Sequence, residues 1–248
     1  MALQWLKNYA AKQRVLGIDR CNDLVGAATA ALKPKSLLDV GCGDGSFMVK
    51  YFGTLPPDCH GIEGAPMEME RARQRGIKVV SCDLNGRWPF QDNQFDTILS
   101  SQVIEHVHNT RLFAEEIFRV LKPGGTAVVA SENLCSLLNW LALTLGYTPF
   151  SLMQVCGRYL GNPFGLHYGE PHEESLPIEH PAFSGVCGHI RVLTVRQARE
   201  LFEWAGFEVL EARSVSILPL PDGLSKALEG VVTQRGHYLF MQVRKPSK

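Results

Sequence analysis

The residues best suited to chemistry stand in short clusters, each just beyond an apolar run. Asp39-Val40-Gly41-Cys42-Gly43-Asp44-Gly45 follows Ser36-Leu37-Leu38. Gly41 and Gly43 take side chains away from a tight bend, so the backbone can pass close against a bound nucleoside or amino-acid moiety. Glu63 closes Gly61-Ile62-Glu63, where a carboxylate can accept hydrogen bonds from both hydroxyls of a ribose. Asp83 follows Ser81-Cys82; its carboxylate suits an adenine amino group while Leu84 packs on the ring, although Asp is also common in solvated turns. His106, in Val103-Ile104-Glu105-His106, is the first candidate for a general base, because an imidazole titrates near neutrality. A helix-terminal histidine is the plainer reading of the same residue. His189, in Gly188-His189-Ile190-Arg191, is the second candidate. His167, His172 and His180 read as ordinary loop residues, because their uneven spacing forms no metal signature.

These clusters need a frame that brings them together. Apolar runs at 36–40, 59–63, 77–81, 95–100 and 126–130 read as strands, and helical spacing fills 45–52, 66–75 and 110–121 between them. Strands alternating with helices imply right-handed crossovers and a parallel sheet covered on both faces. Ligands of such sheets bind beyond the carboxyl ends of the strands, which directs attention to the residues just after Val40, Ile62, Ser81, Leu99 and Ala130. The first 35 residues read as helical, with Leu24, Val25, Ala28 and Leu32 in one stripe. A helix over 194–205 precedes strands at 207–213 and 238–243, with too little chain between them for a full crossover, so an antiparallel terminal pair is expected. Residues 134–188 break the rhythm and read as an insertion within one domain spanning 1–248.

Composition narrows the partners. Lys plus Arg and Asp plus Glu both number 25, so no net field draws in nucleic acid or an anionic membrane. The most apolar stretch, 134–145, is shorter than the ~20 residues of a membrane-spanning helix. Seven scattered cysteines form no C-x-x-C pair, and the opening residues lack the apolar run of a signal peptide; a reduced, cytoplasmic protein is expected.

The glycine loop leaves two ligands open. A dinucleotide fingerprint wants G-x-G-x-x-G, but Ser46 stands three after Gly43. The other pattern, D-x-G-x-G-x-G, is that of loops holding S-adenosylmethionine. Taken in order, 37–45, Gly61-Ile62-Glu63, Asp83, Phe95-Asp96-Thr97-Ile98-Leu99, 103–107, 120–125 and Ala205-Gly206-Phe207 resemble the successive motifs of class I S-adenosylmethionine-dependent methyltransferases, with likeness to quinone-pathway O-methyltransferases. That resemblance implies an α/β, Rossmann-like sheet of seven strands in the order 3-2-1-4-5-7-6, strand 7 antiparallel, with helices on both faces. It implies that Asp39, Gly41 and Gly43 line the methionine and ribose side, that Glu63 holds the ribose, and that Asp83 and Leu84 hold the adenine. Ser100, Ser101 and Gln102 would lie near the sulfonium. Gln102-x-x-Glu105-His106 with His189 is also similar to a cation-holding E-x-x-E-H set of some O-methyltransferases. Gln102 replaces its first carboxylate, which weakens a hard-cation site, so no metal is expected.

The expected activity is methyl transfer to a small-molecule acceptor, through a hydroxyl oxygen, with His106 or His189 as base. Displacement at a sulfonium needs alignment, exclusion of water and removal of a proton, and no covalent intermediate. Asn139-Trp140-Leu141, Tyr147, Phe150, Met153, Tyr159 and Phe164 give the insertion more apolar surface than a solvent loop needs. A lid over a hydrophobic or aromatic acceptor, a homodimer contact, peripheral membrane contact and plain packing onto the core all account for it. Two alternatives stay open: a catalytically silent cofactor-binding regulator, and an RNA 2′-O-methyltransferase. Neutral charge counts against the second.

Overall fold

A computed structural model describes residues 2–152 and 188–247. It holds seven strands, β1 (Ser36–Val40), β2 (Asp58–Ile62), β3 (Lys78–Val80), β4 (Phe95–Ser101), β5 (Leu121–Glu132), β6 (Glu208–Val215) and β7 (Tyr238–Arg244). They form one sheet in the order β3-β2-β1-β4-β5-β7-β6, as the resemblance implied. The pairs β1–β2, β1–β4, β2–β3 and β4–β5 are parallel, and β7 runs antiparallel to both β5 and β6.

Among the described residues the helices are α1 (Ala2–Ala31), α2 (Ser46–Phe52), α3 (Pro66–Gln74), α4 (Thr110–Val120), α5 (Leu137–Thr144), α6 (Val195–Trp204) and α7 (Asp222–Glu229), with a short 3-10 turn, η1, at Ile104–His106. Local chemistry sets several of their starts. The side chains of Asn109, Ser136 and Thr194 accept from the backbone N–H groups of Leu112, Asn139 and Gln197, capping α4, α5 and α6. Pro66 begins α3, where its missing N–H costs nothing.

Strand residues alternate between two cores, the expected period of two. Leu38, Val40, Ile98 and Val129 face Phe113 and Ile117 of α4 and Phe202 of α6. Leu37, Leu99, Val128 and Ala130 face Val25 of α1, Met48 of α2 and Met69 of α3. Leu24, Ala28 and Leu32 of the expected α1 stripe pack half-buried against the second core. With both faces covered, the loops at the carboxyl ends of β1, β2, β4 and β5 are left to carry the chemistry.

Two expectations change in detail. The β6–β7 connection, read as too short for a crossover, carries α7, which Arg20 of α1 ties down through Asp222 at 3.1 Å and Glu229 at 2.8 Å. An antiparallel return needs no crossover, so this helix packs beside the sheet's end without altering the pairing. Of the insertion, α5 and the turn to Leu152 are described, whereas 153–187, including Met153, Tyr159, Phe164, His167, His172 and His180, lies outside the described residues. Phe150 is buried with Ala142, as plain packing requires, while Trp140, Leu143, Leu145 and Tyr147 are exposed. Among the described residues no helix is long and apolar enough to cross a membrane.

Candidate active site

The bend after β1 is fixed from both sides. The N–H groups of Gly41 and Cys42 donate to the Ile62 carbonyl at 2.8 and 3.0 Å, drawing the loop onto the end of β2. Gly41 has φ of 76°, and a Cβ there would overlap the Val103 side chain. Gly43 has φ of 53° with open space where its Cβ would stand, so the backbone offers a bare surface to a ligand.

Glu63 does more than was expected of it. Its Oε2 accepts from Gly43 N at 2.9 Å, and its Oε1 accepts from Gly64 N at 2.8 Å and Ala65 N at 2.9 Å. A carboxylate has about four acceptor positions. Three are filled by backbone, so Glu63 builds the loop first and can offer a ribose only what is left or exchanged. Asp39, beneath the bend, is 4% exposed, and burial together with the nearby Glu63 charge raises its pKa to about 7.

Asp83 also acts through its own loop. Its Oδ1 accepts from the Asn85 backbone at 2.9 Å and the Asn85 amide at 3.0 Å, contacts that hold its carboxyl below the usual range. Asn85 Oδ1 in turn accepts from His108 N and Asn109 N, fastening this loop to the start of α4. Leu84 is half-buried against the first core.

Beyond β4 the chain turns sharply at Gln102, a non-glycine residue at φ of 57° whose N–H donates to the Ala130 carbonyl at 2.9 Å. A backbone held in this region costs about 1–3 kcal/mol and marks a functional turn in many proteins. Ser100 Oγ, Ser101 Oγ and Gln102 Nε2 are buried with no hydrogen-bond partner among the described residues. Such orphaned groups are costly unless a ligand or water serves them. They are the residues that the resemblance set near the sulfonium.

His106 and His189, read from the sequence as separate base candidates, meet. Their ring centroids lie 4.8 Å apart, edge to face. Glu105 is fully buried; its Oε2 accepts from Ser131 Oγ at 2.8 Å and its Oε1 has no hydrogen-bond partner among the described residues. Burial lifts the Glu105 carboxyl to about 7, against the pull of His189. The Glu105 carbonyl accepts from Ile190 N and Arg191 N at 2.7 and 3.1 Å, which carries His189 to the end of β4 across a long stretch of sequence. His189 Nδ1 lies 2.7 Å from the Ser151 carbonyl and 3.5 Å from Glu132 Oε2. Burial pulls its pKa down, but the Glu132 and Glu105 carboxylates outweigh this and set it at about 9. Donor atoms of Glu105, His106 and His189 lie within 4.8 Å of one another, a spacing a cation could share, although protons already compete for Glu105 and His189.

Four residues of this centre, Ser131, Glu132, Asn139 and Ser151, were not singled out for chemistry. Asn139, expected as part of an apolar surface, is buried and donates to Ser151 Oγ at 2.7 Å and to the carbonyls of Asn133 and Leu134. The signal was present: polar residues directly follow the β5 position already marked at Ala130. A separate cleft of about 1110 Å³ beside β3, lined by His60, Lys78, Arg87 and Phe90 among others, shares no residue with this centre. Lys78 pairs with Asp58 and Arg87 with Asp92, and His60 Nε2 lies 2.9 Å from the same Asp58 carboxylate.

Comparison with known proteins agrees with this fold. Residues 38–129 match the methyltransferase domain family. Over 106 residues the chain is 35% identical to norajmaline N-methyltransferase of Rauvolfia serpentina, covering 40% of this chain and 36% of that one. It is 34% identical over 109 residues to a probable chloroplastic tocopherol O-methyltransferase of Oryza sativa subsp. japonica, covering 41% and 30%. The matches thus span about a third of these relatives' length. An S-adenosylmethionine-dependent methyltransferase structure from Mesorhizobium loti superposes with a TM-score of 0.56 at 18% identity, over 88% of this chain and 95% of that one, and so shares the fold. The sheet order is that of class I S-adenosylmethionine-dependent methyltransferases, and residues 38–129 are similar to a methyltransferase domain. The open backbone at Gly43 and the orphaned hydroxyls at the end of β4 suit S-adenosylmethionine.

Proposed function

We propose that the protein transfers a methyl group from S-adenosylmethionine to a hydroxyl oxygen of a small-molecule acceptor in the cytoplasm, with His106 as base and no metal ion. The observation that carries this reading is the cluster of Glu105, His106 and His189 packed beside the polar turn 100–102, one strand-end away from the glycine bend.

When bound, the cofactor supplies a methyl carbon on a positively charged sulfur that leaves as a neutral thioether. The chain's own groups do the rest. Gly41, Gly43 and Glu63 shape the cradle, and Asp39 places a carboxyl that can ionise beneath it. Leu84 and Asp83 bound the adenine side. As the acceptor oxygen takes the methyl carbon, its proton passes to a ring nitrogen of His106. His189, already protonated near neutral pH, is a poor base and serves as a donor instead. The sequence left both histidines open as bases; their surroundings favour His106. The residues around them are polar, so the apolar part of an acceptor would have to meet the insertion, which we propose acts as a lid.

The test is release of S-adenosylhomocysteine with a panel of phenols, quinols and lipid intermediates, in the presence of a chelator. Acceptor-dependent release is expected, undiminished by chelation. It should fall about 10²–10⁴-fold in His106→Ala, the range of a lost general base. Undiminished turnover in that variant would remove His106 from the mechanism, and loss of activity on chelation would restore the metal.

A further inference from the structure

Asn85 is the hub of the loop that follows β3. Its Oδ1 accepts from His108 N at 2.8 Å and Asn109 N at 3.0 Å, which fills both acceptor positions of the amide oxygen. Its Nδ2 and its backbone N–H both donate to one oxygen of Asp83, Oδ1, at 3.0 and 2.9 Å. The amide can stand only one way round, because two N–H groups need its oxygen and a carboxylate needs its nitrogen. Gly86 N donates to the Asp83 carbonyl at 3.0 Å and closes the turn. Asn109 is itself the cap of α4, so this one side chain ties the turn to a helix packed on the sheet.

The oxygen left over is Asp83 Oδ2. Among the described residues it has no hydrogen-bond or ion-pair partner, and the side chain is exposed. Its place is level with the cradle. Val40, Ile62 and Val80 stand in register at the ends of β1, β2 and β3, and Gly41, Glu63 and Asp83 follow them closely. A carboxylate oxygen can only accept. It suits the amino group of adenine and opposes a base that presents a carbonyl oxygen at the same place. An exposed Asp on a loop ordinarily turns among rotamers, so that a ligand must order it on binding; two donors on Oδ1 fix the carboxylate beforehand.

We propose that Asn85 is a positioning residue that sets base specificity: by holding Asp83 Oδ1 from two sides and anchoring the turn to α4, it leaves Asp83 Oδ2 as a fixed acceptor that selects a nucleoside whose base carries an amino group. The proposal rests on the reading above in which Asp83 and Leu84 bound the adenine side of the cofactor. It adds the residue that makes the Asp83 carboxylate selective.

Calorimetry on the full chain with S-adenosylhomocysteine and with S-inosylhomocysteine, its deaminated counterpart, reads the ratio of the two affinities. The wild type is expected to favour the adenosyl compound at least about tenfold, the low end for a hydrogen bond to a charged group. In Asn85→Ala that ratio should fall at least about threefold, the effect of one side chain no longer ordered in advance. A merely structural loss would weaken both ligands alike and leave the ratio unmoved. Asn85→Asp keeps an oxygen for the N–H groups of His108 and Asn109 while setting a like charge against Asp83, and should show the same fall where Asn85→Ala does not fold. An unchanged ratio in either folded variant, or a wild-type ratio near one, would overturn the proposal and leave the cofactor reading standing. Binding of neither compound would overturn that reading and the proposal with it.

Discussion

Asp39→Asn isolates the electrostatics beneath the glycine bend. Asp39 sits in the middle of the sheet, paired in register with Gly61 of β2 and Leu99 of β4, and burial with Glu63 nearby lifts it from 3.8 to about 7. The folded value exceeds the unfolded one, so its contribution to stability is fully present below the unfolded pKa and is lost as pH rises through about 7. At about 1.4 kcal/mol per unit, the loss amounts to about 4 kcal/mol once the group is ionised in both states. Asparagine keeps the shape and does not titrate. Urea unfolding of both chains between pH 4 and pH 9 should show the variant gaining on the wild type by about 1.4 kcal/mol per pH unit up to near neutrality, then levelling off. Any fixed cost of the new amide displaces the whole curve and leaves its slope alone. Parallel curves, agreeing within about 1 kcal/mol after offset, would show that Asp39 is not sealed under the bend, and the reasoning from burial would be wrong.

Two further outcomes bear on separate parts of the molecule. Glu63→Ala takes the acceptor from three backbone N–H groups and should weaken S-adenosylhomocysteine binding by about 1–3 kcal/mol in calorimetry; wild-type affinity would detach Glu63 from the cradle. Phe113→Ala, in the core between α4 and the sheet, should lower unfolding free energy by about 3–5 kcal/mol, and a loss under about 1 kcal/mol would contradict the packing described.

The cradle was legible because its logic is local. A strand ending in Asp39-Val-Gly-Cys-Gly fixes where a ligand can touch backbone, and the apolar runs at 36–40 and 95–100 give the strands that flank it. Glu63's grip on the loop was not legible, because its partners are backbone N–H groups that no residue letter announces. Glu132 escaped for a different reason. Its partner lies 57 positions further on, and long-range contacts, Ile190 and Arg191 with Glu105's carbonyl and His189 with that of Ser151, bring the two together. Helix α7 was passed over because an antiparallel return makes no demand for a helix, although Leu224 and Leu228 have the right spacing.

The central claim is that the bend after β1 cups an adenosyl group with its sulfur toward the turn 100–102. A crystal structure with S-adenosylhomocysteine bound tests it most directly. The expected density runs from Asp83 and Leu84, past Glu63 and Gly43, to a sulfur facing Ser100, Gln102 and His106. Density in the cleft beside β3, or a nucleoside bound with its sulfur turned away from His106, would contradict it.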